Sequence, residues 1–162
     1  LAAPLLERLG VPATMFAVVS YADAGRVGDA RREDVEALSW DELRDLAARG
    51  WEIGSHTVSH PRLTGLGPED LDRELRESKA RIEAELGAPC PSLAYPYGDH
   101  DDRVVAAAAA AGYEHACVFP PTHAHRGPLA VPRVGVKRTD GRVRFALKTS
   151  PLVRRLLARR SP

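Results

Sequence analysis

Residues 13–19 read Ala-Thr-Met-Phe-Ala-Val-Val, an apolar run with β-branched members and no charge. A strand that is apolar on every side chain, rather than on alternate ones, is covered on both faces, as happens in parallel sheets packed under helices. The rest of the chain fits that frame. Residues 4–9 predict a short helix ended by Gly10, and residues 20–38, polar with Gly25 and Gly28, predict a long loop. Ser39 and Glu42 form a capping box that opens a helix over 39–50. Trp40, Leu43, Leu46 and Ala47 line one side of it, and Gly50 takes the C′ position. Residues 51–55 predict a short strand. Pro68 opens the next helix, where its missing N–H costs nothing; Leu71, Leu75, Ile82 and Leu86 recur at helical spacing, and Gly87 closes it. A strand follows over 92–95. Asp99 is the expected N-cap of a helix over 100–111 closed by Gly112. Strands are expected over 114–119 and 130–136, and a helical tail from about 142 with a break near Pro151. Strands separated by helices define a single α/β domain with a parallel sheet. A further strand before Leu1 would complete the alternation, so the chain is expected to be truncated at its N-terminus.

The bulk composition narrows the partners. A net charge of +1, with 44% hydrophobic and 28% charged residues, is that of an ordinary globular domain and does not favour nucleic acid or a charged membrane as partner. The exception is the tail: Lys148, Arg154, Arg155, Arg159 and Arg160 stand there without an acid, either as a solvated helix face or as a surface for anionic polymer or lipid. Cys90 and Cys117 are in no CxxC and are expected to be small buried residues. No apolar run reaches the ~18–20 residues of a membrane span. The compartment stays open.

Two segments carry chemistry. In Ser55-His56-Thr57-Val58-Ser59-His60-Pro61, two imidazoles stand four residues apart at the end of a predicted strand. Imidazole is a common zinc ligand, and α/β folds bind ligands at the C-terminal ends of their strands. Thr57 occupies the place where a helical HExxH zinc site needs Glu, and Pro61 with the β-branched Thr57 and Val58 favours a strand-to-loop turn over a helix. The second segment, Ala94-Tyr95-Pro96-Tyr97-Gly98-Asp99, also follows a strand. A Pro-aromatic-Gly turn can aim the backbone N–H of Tyr97 into a cleft, where it could stabilise an oxyanion.

Together these segments resemble the polysaccharide deacetylases, the domain shared by chitooligosaccharide and peptidoglycan deacetylases. The matching stretches, in family order over about residues 1–140, are Gly10-Val11-Pro12-Ala13-Thr14-Met15-Phe16, Gly50-Trp51-Glu52-Ile53-Gly54-Ser55-His56-Thr57-Val58-Ser59-His60, Ala94-Tyr95-Pro96-Tyr97-Gly98 and Ala111-Gly112-Tyr113. The resemblance implies a distorted (β/α) barrel of about seven strands, here incomplete at the N-terminus; residues 141–162, beyond the matched stretch, are expected to be a basic helical tail. It implies one divalent metal, zinc or a similar ion such as cobalt, held by His56, His60 and an aspartate. A second aspartate would be the general base on water, and the Tyr97 N–H would receive the oxyanion. Tyr95, Pro96 and Gly98 would line the substrate, an N-acetylated sugar of a polysaccharide or oligosaccharide.

This sequence departs from the family pattern at named places. The Asp-Asp segment belongs just upstream of Leu1, so the third ligand and the base are expected to be missing and the chain as it stands inactive. Ala94 replaces an arginine that orients the base; Arg133 is the candidate substitute. The late Leu-x-x-His that supplies the general acid is not found, leaving His125 or His123 as replacements, or as loop residues. The alternative reading is a non-catalytic glycan-binding or scaffold relative of the same fold.

Overall fold

In the computed structural model, the described residues are 3–25, 36–119, 127–137 and 139–150. Their five strands are β1 (Thr14–Ala17), β2 (Glu52–Ser55), β3 (Ser92–Ala94), β4 (His115–Val118) and β5 (Val131–Pro132), paired in that order and all parallel. The helices are α1 (Ala3–Arg8), α2 (Val19–Ala24), α3 (Trp40–Ala48), α4 (Pro68–Leu86), α5 (Asp102–Ala110) and α6 (Arg142–Thr149). Parallel strands in sequential order describe an arc of a (β/α) barrel rather than a doubly wound sheet, whose strand order reverses. In line with this, α3 packs on β2 and on α4, and α4 on α5, as one outer layer.

The local signals explain the elements. The Ser39 N–H donates to Glu42 Oε2 at 2.8 Å, and the Glu42 N–H donates back to Ser39 Oγ at 3.4 Å. Pro68 is the first residue of α4, and Gly87 ends it in the left-handed conformation with φ 63°. Leu43, Leu71, Leu75, Ile82, Leu93 and Val104 are buried between helices and sheet. Complete burial of one such side chain is worth about 1.5–3 kcal/mol. Gly54 is needed in β2, because a Cβ there would lie 2.7 Å from the Phe16 ring. Its absence lets Phe16 of β1 lie across the neighbouring strand.

Five expectations give way. Residues 20–24 of the expected loop belong to helix α2, because Val19 and Ala22 turn into the core; residues 26–35 lie outside the described residues. The same turn ends β1 at Ala17, short of the expected 19. The last strand is only Val131–Pro132, since Pro132 has no N–H to continue a ladder, although the Arg133 N–H still donates to the Val118 carbonyl at 3.1 Å. Asp101, not Asp99, caps α5, accepting the Val104 N–H at 2.8 Å. Asp99 instead accepts the backbone N–H and hydroxyl of Thr64 at 3.0 and 2.8 Å. Cys90 is buried, and its thiol is pushed up to about 11 by that burial, whereas Cys117 is only half-buried. No helix among the described residues is long and apolar enough to cross a membrane.

Candidate functional site

His56 follows β2 directly, and its N–H donates to the Ala17 carbonyl at 2.8 Å, so its backbone is still held by the sheet. Its Nδ1 lies 2.6 Å from the carbonyl of Ala94, the last residue of β3. A carbonyl can only accept, so Nδ1 carries the proton and Nε2 presents its lone pair. Burial, opposed by that hydrogen bond and reinforced by His60 and Arg133, pushes the His56 pKa down to about 4. The ring is therefore neutral at ordinary pH, the form in which imidazole binds a metal.

The loop after His56 turns His60 back onto it. The two Nε2 atoms are 3.1 Å apart, with the rings edge-on at 75°. Two adjacent ligands ~2.0–2.1 Å from one ion, at right-angle to tetrahedral bond angles, lie about 2.9–3.4 Å apart, so the pair fits a shared ion. Among the described residues no third His, Cys, Asp or Glu joins them. His123 and His125 lie outside the described residues.

The geometry is held against backbone strain. Among the described residues, Thr57 (φ 69°), His60 (φ 62°) and Tyr97 (φ 59°) are the non-glycine residues with positive φ, and all three border this site. Each such residue costs about 1–3 kcal/mol and persists only where its surroundings hold it. Thr57 is fully buried; its N–H donates to Ser55 Oγ at 3.2 Å, and its own Oγ1 accepts the His60 N–H at 3.0 Å. The carbonyls of Thr57 and Val58 accept the Val19 and Ser20 N–H groups, which ties the loop to α2. From the other side, Glu74 of α4 accepts the Val58 and Ser59 N–H groups at 2.8 and 3.0 Å and the Ser59 hydroxyl at 2.6 Å. Glu74 escaped the sequence reading. The signal was a carboxylate on the apolar stripe of α4, between Leu71 and Leu75. Below it, Ser55, Ser78 and Tyr113 share buried hydroxyl contacts at 2.9 and 3.1 Å, also unforeseen.

The second segment supplies the facing rim. Tyr97 is exposed, with its ring 4.7 Å from that of His60 and the Arg62 guanidinium 4.7 Å from its centroid. Tyr95, Pro96 and Gly98, expected to line the substrate, have their side-chain positions buried in the turn. The Tyr95 hydroxyl donates to the Leu129 carbonyl at 3.0 Å, and its ring stacks on His100 at 5.3 Å. Gly98 has φ 71°, and a Cβ there would lie 1.6 Å from the Phe119 carbonyl oxygen. Arg133 stands with its guanidinium 5.7 Å from the Phe16 ring centroid, near enough to His56 to disfavour its protonation. The Arg133 Nε is buried and has no hydrogen-bond partner among the described residues. A cleft of 470 Å³ leads to the histidines; Met15, Phe16, Ala17 and Val18 line it in succession, so it follows the open edge of β1 rather than one face of the strand.

An arc of (β/α) barrel with a histidine pair on its C-terminal rim defines the class of fold and the candidate site. The polysaccharide deacetylase family model matches residues 2–116, and the chain belongs to that family. YxkH of Bacillus subtilis (strain 168) is 28% identical over 135 residues, 82% of this chain and 45% of its own length. A chitooligosaccharide deacetylase of Sinorhizobium fredii is 31% identical over 105 residues, 63% of this chain and 41% of its own. The chain thus spans less than half the length of these curated relatives. The solved structure of the Streptococcus pyogenes deacetylase PplD in complex with acetate shares the fold, with a TM-score of 0.76 at 20% identity over 93% of this chain and 64% of that one.

Proposed function

We propose that this chain forms the metal-holding part of a carbohydrate N-deacetylase, a hydrolase that cleaves the amide C–N bond of N-acetylated sugars in a polysaccharide or oligosaccharide to give a free amine and acetate. Family membership and the name of the Sinorhizobium relative support the reaction class. The observation that carries the metal is the 3.1 Å approach of two Nε2 atoms, one of them on a ring whose tautomer is fixed by Ala94. Imidazole pairs suit zinc, and cobalt is accepted by similar sites. When bound, the ion supplies Lewis-acid polarisation of the acyl carbonyl and of water.

The chain's own residues do the remainder. His56 and His60 hold the ion. The Tyr97 N–H donates to the developing oxyanion from a turn that its strained φ and the Gly98–Phe119 contact hold in place. Arg133, with an unused buried Nε beside His56, orients the carboxylate of the general base. The base and a third ligand are carboxylates that the described residues do not bring to the histidine pair. Catalysis therefore requires those carboxylates in addition to the described residues.

Metal analysis after zinc loading and dialysis tests the site. One zinc per wild-type chain and none in His56→Ala is expected; the same content in both would remove the assignment. Deacetylase assays of this chain and of one extended upstream of Leu1 test the carboxylate argument, which equal activity would sink. The second reading, a non-catalytic glycan-binding relative, is favoured by the lack of a third ligand among the described residues. It predicts glycan binding without acetate release in the extended chain as well.

A further inference from the structure

Three hydroxyls meet between β2 and α4, where apolar contacts would be ordinary. Ser55 and Ser78 are fully buried and Tyr113 is 4% exposed. Replacing such a group of hydroxyls by apolar side chains of the same shape can be nearly neutral for stability, so folding alone does not call for them. One member has a further partner. Ser55 Oγ accepts the N–H of Thr57 at 3.2 Å. At φ 69° Thr57 has left the sheet ladder, and a buried N–H without an acceptor is costly. The acceptor comes from a side chain two residues back.

Each hydroxyl has one proton to give, which orders the contacts. Ser55 donates to Ser78 Oγ at 2.9 Å, and Ser78 donates to the Glu74 carbonyl at 2.7 Å. The Tyr113 hydroxyl donates to the Leu75 carbonyl at 3.0 Å and touches Ser78 Oγ at 3.1 Å, beside this line rather than in it. The line from the Thr57 N–H through Ser55 and Ser78 thus ends on the backbone of α4, at the residue whose carboxylate holds Val58 and Ser59. Its other anchor is equally firm, because Ser55 ends β2 with Ala17 on one side and Leu93 on the other. Thr57 passes the constraint on, since its Oγ1 accepts the His60 N–H at 3.0 Å.

We propose that Ser55 and Ser78 are positioning residues for His60. Glu74 holds the second half of the histidine loop; the two serines hold Thr57 in its left-handed conformation and so set where the second imidazole meets the first. The proposal rests on the reading of His56 and His60 as metal ligands, and neither serine touches the ion or the substrate.

Zinc affinity by chelator competition, melting curves and the visible spectrum of the cobalt-loaded chain test it, on wild type, Ser55→Ala, Ser78→Ala and Tyr113→Phe. Ser55→Ala leaves the Thr57 N–H without its acceptor, and Ser78→Ala leaves the Ser55 hydroxyl without its own. Each should bind zinc at least about ten-fold more weakly and move the cobalt bands, which follow ligand geometry. Tyr113→Phe removes an equally buried hydroxyl beside the line; it should lower the melting temperature by a similar amount and keep the wild-type zinc affinity and cobalt spectrum. Wild-type affinity and spectrum in both serine variants overturn the positioning role and leave the metal site standing. Equal losses in all three variants overturn it too, as the mark of general loosening. A wild-type chain that takes up neither zinc nor cobalt removes the metal site itself, and the proposal with it.

Discussion

Replacing Glu74 with alanine separates stability from metal binding. The carboxylate, 7% exposed, accepts hydrogen bonds from two backbone N–H groups and one hydroxyl of the loop that carries His60. Hydrogen bonds to a charged group are worth about 1.5–3 kcal/mol each when buried. Ser59 is exposed and can turn to water, which leaves about 2–4 kcal/mol for the brace as a whole. The strain held at Thr57 and His60 is of the same size, about 2–6 kcal/mol for the two. Without the brace the loop therefore relaxes, and the released strain offsets part of the lost bonding. The expected net destabilisation is about 2 kcal/mol, or ~4–8 °C in melting temperature for a chain of this size. Zinc affinity, measured by competition with a chromophoric chelator, should fall at least about ten-fold, since the 3.1 Å approach of the imidazoles depends on that loop. Glu74→Gln retains an acceptor for the two N–H groups and should lose far less. Wild-type zinc affinity in Glu74→Ala would refute the reasoning, whatever its melting temperature.

Two further outcomes follow from the same geometry. Gly98→Ala places a Cβ against the Phe119 carbonyl and forces a non-glycine residue to φ 71°; it should cost about 3 kcal/mol or more in urea unfolding, and a cost below 1 kcal/mol would contradict the close approach. His56 has a pKa near 4 in the folded chain against about 6.5 unfolded, so the unfolded state binds the extra proton between those values and stability falls as pH falls from 6.5 towards 4. The loss, of order 3 kcal/mol from one group, should be seen in metal-free protein by chemical denaturation. It should be absent in His56→Gln, and an equal slope in that variant would point to other groups.

The parallel α/β frame was readable because each element carries a local signal. The apolar run of β1, the Ser39 box, Pro68 and Gly87 fix their structures through contacts within a few residues. Helix α2 was not readable: its apolar positions, Val19 and Ala22, are too few to show a period and make sense only against α4 and the histidine loop. Asp99 and Asp101 are both capable caps in sequence. The choice between them was made by Thr64, which takes Asp99 from a distance of 35 residues.

The histidine pair divides in the same way. His56 and His60 were evident from their spacing and their place after a strand, and the sequence by itself determined that both imidazoles reach the C-terminal rim. Spacing could not determine that they share one point in space. That was decided by groups distant in the chain: the Ala94 carbonyl that fixes one ring and the Glu74 carboxylate that holds the strained loop of the other. Local signals act through backbone bonds between near neighbours. A 3.1 Å meeting of side chains across positive-φ residues needs a rigid surround, and only the packed sheet and helices supply one.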